Sequence, residues 1–384
     1  MPRTVLARCV TVGGCLAVAA AAREAAAQGT LGAQGFGYPP GQLSVYSRAL
    51  SGASAEMDAL SPINPAALSL MRRGGIYLQT EQEQRSLDAA GESSSTRSNR
   101  FPLFTAIVPV GPRGMVGLSF STMLDRTWGT EIRGMQVFGA DSAAYVERFS
   151  SEGALNDIRA AGSWALRDNL ILGVGIHMFP GENRLNIERL YDDSLSFAPL
   201  RDSSNVNFFG TCVSGGVMWR PLPALTVGAS GRFGGTLKLW EGDTVRTKAD
   251  APSRYGAAVR YDIVPGTGVA LRADRTLWSQ MNGLGSEQAS AKDTWDYGLG
   301  IDALGPRLIG QELTLRAGMR RRTLPFAASN EDVRETAFTF GTGLPMIGGR
   351  AIVDLFAEYA TRKASDVDAT ETAWTLGLGL TVRP

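Results

Sequence analysis

From residue 75 to the C-terminus, apolar and polar residues alternate with a period of two, and the alternation restarts after each cluster of turn-forming residues. In 374–382, Trp374, Leu376, Leu378, Leu380 and Val382 interleave with Thr375, Gly377, Gly379 and Thr381. In 295–303 the apolar set is Trp295, Tyr297, Leu299, Ile301 and Ala303, against Asp296, Gly298, Gly300 and Asp302. In 313–320, Leu313, Leu315, Ala317 and Met319 alternate with Thr314, Arg316, Gly318 and Arg320. A helix sorts its faces every three or four residues, whereas a strand sorts them every second residue, so these segments are strands.

The pattern predicts fourteen of them, near 75–83, 101–109, 114–123, 154–166, 169–179, 205–219, 224–233, 253–263, 268–276, 294–303, 312–322, 335–343, 350–360 and 371–382. Short connections such as Arg167–Asp168 and Val264–Thr267 alternate with long polar stretches at 84–100, 124–153, 180–204, 234–252, 277–293, 323–334 and 361–370. Within 234–252, Thr236 to Thr247 reads as an additional hairpin arm. Short turn followed by long loop is the wiring of an outer-membrane barrel, and strands of about 9–11 residues cross the apolar layer at a tilt. A soluble sandwich also alternates, but it would bury the aromatic set and would not need this rhythm of connections. The expectation is an all-β transmembrane antiparallel barrel of about 14 strands, with its apolar set toward lipid and its polar set lining the lumen. Arg159, His177, Arg232, Arg260, Asp262, Arg272, Asp274, Asp302, Arg316, Arg320, Asp354 and Glu358 then point inward. Trp164, Trp219, Trp295 and Trp374 fall near strand ends, as aromatic girdles do.

The N-terminus differs in kind. Arg3 and Arg8 precede an apolar stretch from Cys9 to Ala22, and Ala25-Ala26-Ala27 offers a small-residue cleavage site, so 1–27 reads as a signal peptide. Cys15, after Val12-Gly13-Gly14, resembles a lipobox only loosely. Beyond residue 27, Cys212 is the one cysteine and His177 the one histidine. No intramolecular disulfide and no multi-His or Cys-rich metal cluster is therefore expected, and no cofactor signature is present. With 38 basic against 37 acidic residues there is no electrostatic reason to expect nucleic acid as a partner. A Ser-His-Asp arrangement on His177 is open to the sequence, but the alternation puts this histidine inward with Gly173 and Gly175. It reads as a lumen histidine, and the chain as no enzyme.

Residues 28–74 lack the alternation. Gly29 to Gly41 is rich in Gly and Pro, and further on Asn64 can cap a helical turn whose first position suits Pro65. Asp58, Ala59, Asn64, Pro65, Ala66 and Leu68 together form D-A-x-x-x-x-x-N-P-A-x-L, which resembles the N-terminal hatch of the FadL-type transporters of hydrophobic compounds. It is also similar to the hatch of Por-type barrels of type IX secretion, although Ser47 to Glu56 lacks their Gly-rich run. The resemblance implies a plug over 28–74 inside a barrel over 75–384, with Asp58, Asn64, Pro65, Ala66 and Leu68 as plug and gating residues. It implies passive uptake of hydrophobic or amphipathic, fatty-acid-like molecules across the outer membrane of a Gram-negative-type bacterium. Outer-membrane lipid and the barrel-assembly machinery are the implied partners. The chain departs from such barrels by ending Leu380-Thr381-Val382-Arg383-Pro384 rather than in an aromatic residue. A Por-type protein-binding barrel and a structural or adhesive barrel working through 124–153 are the alternatives.

Inward glycines at Gly228, Gly298, Gly300, Gly341, Gly343, Gly377 and Gly379 either make room for a plug or let the wall bend. Among the inward charges, Arg316, Arg320, Asp354, Glu358, Arg260 and Arg272 are the candidate lumen residues. Pairing is their default, and holding a substrate carboxylate is the functional alternative for the arginines.

Overall fold

A computed structural model describes residues 37–89, 92–138, 141–192, 198–284, 291–308, 310–326, 332–364 and 369–384. The expected signal peptide and the start of the expected plug, 28–36, lie outside the described residues. The strands are β1 (Gly75–Ala89), β2 (Glu92–Val110), β3 (Gly114–Asp125), β4 (Trp128–Phe138), β5 (Asp141–Arg167) and β6 (Leu170–Met178). They continue as β7 (Gly181–Tyr191), β8 (Leu200–Leu222), β9 (Leu225–Phe233), β10 (Thr236–Glu241), β11 (Thr244–Asp250) and β12 (Ser253–Val264). The last are β13 (Thr267–Leu277), β14 (Thr294–Leu308), β15 (Gln311–Thr323), β16 (Val333–Met346), β17 (Ala351–Ala364) and β18 (Ala369–Val382).

Fourteen of these close an antiparallel barrel: β1, β2, β3, β5, β6, β8, β9 and β12 through β18. The seam is β1 on β18, which pair from Ile76↔Val382 to Ala89↔Ala369 without a break. Closure leaves no barrel edge with unpaired backbone groups, which is what hydrocarbon surroundings demand. The alternation sorts as expected. Val174 is 70% exposed and Phe340 67%, and Leu376, Leu271 and Leu299 also face out, whereas Glu371, Glu335 and Asp157 face in and are fully buried. No soluble protein gains by turning its leucines out and its glutamates in. Trp164, Trp219, Trp295 and Trp374 all stand on the outer face.

The long polar stretches are where the sequence reading needs correction. Much of 124–153, 180–204 and 234–252 is strand, not loop. β4 pairs with the first half of β5, which pairs with β7; β7 pairs with the first half of β8, which pairs with β10 and so with β11. β5 and β8 thus run 27 and 23 residues, and their far halves carry a sheet beyond the barrel rim. The hairpin arm read within 236–247 is β10 and β11. An apolar cluster of Leu124, Leu155, Phe179, Phe208, Leu237, Leu239, Trp278, Met281 and Phe326 holds the base of this sheet against the turn Trp278–Leu284.

Candidate functional site

Residues 37–74, which precede β1, lie inside the barrel. Tyr38 bridges to Asp125 at the rim that carries the extension, and Met71 sits beside Gly75 at the rim with the short turns. Between them the segment makes one short helix, α1 (Val45–Ala49), and 3-10 turns at Ala55–Met57 and Pro65–Leu70. It touches the wall on nearly every side. The Val45 amide donates to Tyr77 Oη of β1 (2.8 Å), and Thr105 Oγ1 of β2 to the Leu60 carbonyl (3.0 Å). Thr339 Oγ1 of β16 donates to the Ala49 carbonyl (3.0 Å), and Asn64 Nδ2 to the Val217 carbonyl of β8 (3.2 Å).

The motif residues act as fasteners of this inner segment. Asp58 accepts hydrogen bonds from the hydroxyls of Ser44 (2.5 Å), Ser47 (2.8 Å) and Ser61 (2.5 Å), and from the Leu60 amide (3.0 Å). One buried carboxylate thereby ties α1 and its N-cap to the turn at 58–61. Asn64 caps its turn by accepting from the Ala66 amide (2.9 Å) while its Nδ2 donates to the Glu56 carbonyl (2.9 Å). Pro65 takes the first position, and Ala66 and Leu68 are buried. The turn is 3-10, tighter than the helix the cap suggested.

Four of the seven inward glycines make room for the inner segment, and the other three make room for wall side chains. A Cβ at Gly228 would sit 2.9 Å from the Glu56 carbonyl oxygen, at Gly298 2.6 Å from that of Ser51, at Gly300 2.7 Å from that of Leu50, and at Gly341 hard against Ala49 Cβ. Gly343 instead clears space for Arg316 and Asp354, Gly377 for Phe356, and Gly379 for Tyr77.

The charged candidates are paired. Arg316 meets Asp354 at 2.5 Å, and Arg320 meets Glu335 at 2.9 Å and Glu358 at 3.8 Å. Arg260 lies between Asp262 (2.8 Å) and Asp302 (2.9 Å), and Arg272 between Asp274 (3.2 Å) and Asp296 (3.9 Å). Glu358 also takes Arg48 of α1 (3.1 Å). The sequence reading missed the rest of the network. Glu56 meets Arg254 at 2.8 Å, and Arg254 meets Asp274 at 2.5 Å. Near the outer rim the Tyr38 ring is surrounded by the guanidinium groups of Arg362 (4.4 Å), Arg85 (5.1 Å), Arg322 (5.1 Å) and Arg100 (5.6 Å). Glu83 and Glu335 hold those arginines in turn. Strand parity marks the wall members as inward, but only the register shows which of them meet.

No family model and no curated protein matches the chain. Among solved structures it is similar to a Pseudomonas aeruginosa FadL homologue, with TM-score 0.62 and 13% identity over 91% of this chain and 99% of that one. The chain has the fold of the FadL-type channels. The toluene transporter TodX of Pseudomonas putida aligns with TM-score 0.57 and 13% identity, over 91% and 99% of the two chains. The monoaromatic hydrocarbon channel CymD gives 0.54 and 14%, over 91% and 98%.

Within this barrel, burial acts strongly on the inner segment. The Tyr46 phenol, stacked under Arg316 at 4.6 Å, is pushed up to about 12, chiefly by desolvation. Burial opposes the charge of Arg48, but Glu358 and Glu81 more than offset it and hold the guanidinium protonated. His177, read as an inward histidine, is buried between Asp157 and Ser214 at 2.8 Å from each. Among the described residues no cluster of potential ligands could hold a metal ion.

Proposed function

We propose that this chain is an outer-membrane channel for passive uptake of hydrophobic or amphipathic small molecules, fatty-acid-like in character. The inner segment would serve as its gate, a plug of residues 28–74 behind a signal peptide cleaved at 27. The observation that carries this reading is a lumen filled by the chain's own N-terminal segment through reversible contacts rather than by wall side chains. The solved relatives named for toluene and monoaromatic hydrocarbons support an apolar cargo.

A route is built into the same region. The apolar cluster at the outer rim offers a first surface. Deeper in, Leu60, Leu68 and Met71 of the plug pack on Ile107, Met115 and Ala161 of the wall, an apolar seam that would part when the plug shifts. On the outside of this wall lies a recess of about 880 Å³ lined by Val116, Leu118, Val174, Ile176, Val213 and Phe233. There the inward residues Gly117, Ala161 and Gly175 are small enough to line the recess too, so the wall is thin and a sideways exit into lipid is short. Transport itself needs no chemistry. The protein-binding alternative gains nothing from the fold, since the space for a cargo segment is occupied by the chain itself.

Ser69 and Ser163 of β5 provide the test, because their hydroxyl oxygens lie 2.7 Å apart and sulfurs in those places come within reach of a disulfide. With both changed to Cys in a Cys212→Ser background, oxidation is expected to abolish uptake of labelled fatty acid, and reductant to restore it. Uptake that proceeds unchanged with the disulfide formed would refute a gating plug.

A further inference from the structure

Asp157, His177 and Ser214 stand on β5, β6 and β8, which are adjacent in the barrel wall. His177 Nδ1 lies 2.8 Å from Asp157 Oδ1, and His177 Nε2 lies 2.8 Å from Ser214 Oγ. Asp157 also accepts from Gln42 Nε2 (2.9 Å) and Arg232 Nη1 (3.1 Å), which fixes it as an acceptor-only carboxylate. The hydrogen-bond network therefore assigns the imidazole proton to Nδ1, and Nε2 accepts from the Ser214 hydroxyl. That is the polarity a nucleophilic serine requires, with the proton already directed at its base and the base oriented by a third group.

Two independent features turn this relay from a satisfied buried cluster into a site. The first is access. Ser214 and Gly175 are both inward positions beneath the apolar recess, and a Cβ at Gly175 would stand 2.7 Å from Ser214 Oγ on the lumen side. The glycine keeps the hydroxyl uncovered on that side. The second is charge. Arg159 faces His177 directly across β5 and β6, is 1% exposed, and has no ion pair among the described residues. Its Nε and Nη1 have no hydrogen-bond partner among the described residues, and it lacks the carboxylate that Arg316 and Arg320 each have. A buried guanidinium with free N–H groups is a ready counter-charge for an oxyanion formed beside His177.

We propose that Ser214 is the nucleophile of a second activity, hydrolysis of carboxylic esters with apolar acyl chains. The proposal rests on the channel reading in one respect, that apolar molecules reach this stretch of wall. Ser214 Oγ attacks the ester carbonyl carbon as its proton passes to His177 Nε2, and Arg159 faces the negative charge that develops on the carbonyl oxygen. The carbon–oxygen bond to the alcohol breaks, and the alcohol leaves with the proton from His177. Water then gives a proton to His177 and attacks the acyl-serine. Ser214 departs and recovers its proton, so ester and water yield carboxylic acid and alcohol.

The test uses the full chain folded in detergent micelles, with an alkyl fluorophosphonate and p-nitrophenyl octanoate as probes. Mass spectrometry of the wild-type protein is expected to place the phosphonyl adduct on Ser214, a readout that needs no variant. Ester turnover is expected to fall at least about a hundredfold in Ser214→Ala and in His177→Gln, each checked for heat-modifiable gel mobility. A folded wild-type barrel that carries no adduct on Ser214, or turnover that persists in Ser214→Ala, overturns the proposal. Fatty-acid uptake by wild-type protein in liposomes is measured in parallel: its absence would sink the channel reading, while the adduct result would stand by itself.

Discussion

Replacing Glu56 by alanine removes one charge that ties the plug to the wall. Glu56 is fully buried and meets Arg254 at 2.8 Å, and Arg254 keeps a second partner, Asp274, at 2.5 Å. Breaking a buried pair from one side costs about 3–5 kcal/mol, mostly through the partner left behind, and the surviving Asp274 contact puts the expected cost at the lower end. The cost falls on the seated state alone, because a displaced plug makes no contact with Arg254. A loss of about 3 kcal/mol multiplies the unseated population by roughly 150. Hydrogen exchange of the amides in α1 and in the turn Pro65–Leu70, measured in detergent micelles, should accelerate by about that factor. Exchange along β16 to β18 should stay as slow as in the wild type. Adding Arg254→Leu removes the stranded cation, leaves Asp274 to Arg272 (3.2 Å), and is expected to recover part of the loss. Plug exchange in Glu56→Ala that matches the wild type, or acceleration spread evenly over plug and barrel, would refute the idea of a separately seated segment.

Gly298→Val places a branched side chain where a single Cβ is already 2.6 Å from the Ser51 carbonyl oxygen, so the plug should fail to seat and single-channel conductance should rise. In the Tyr46→Phe variant, a spectrophotometric titration should lose one tyrosine from the component near 12. Since the folded value lies above the unfolded one near 10, the stability that the neutral phenol lends is whole below about pH 10 and drains away as pH rises toward 12. Brominated lipids should quench Trp164, Trp219, Trp295 and Trp374, which face outward, and spare Trp278, which is buried under the extension; quenching of Trp278 as strong as that of Trp374 would contradict the membrane placement.

The barrel was legible because lipid enforces a strict pattern: each outward position in 374–382 must be apolar, and no tertiary contact relaxes that rule. Apart from the hairpin arm, the extension was illegible for the same reason in reverse. β7 reads Gly-Glu-Asn-Arg-Leu-Asn-Ile-Glu-Arg-Leu-Tyr and from Leu185 onward is only half-buried on both faces, so its composition does not separate strand from loop. In the plug, the Asn64–Pro65 turn could be read because cap and turn are local. The Glu56–Arg254 pair spans 198 residues and depends on how β12 registers against β9, which no local signal fixes. His177 was placed on the correct face by parity, yet its partners lie 20 and 37 residues away on other strands.

The inner segment spans the lumen from Tyr38 at one rim to Gly75 at the other before the first strand begins. The seam that completes the cylinder joins β1, which follows this segment directly, to β18, the final strand. A cylinder sealed beforehand would have to take in Arg48, Glu56 and Asp58 through the rim where Gly75 tethers the segment, stripping their water before each had reached its partner. Zipping the first strand to the last around a segment already in place avoids that barrier, and the expected order is filling first and wall afterwards.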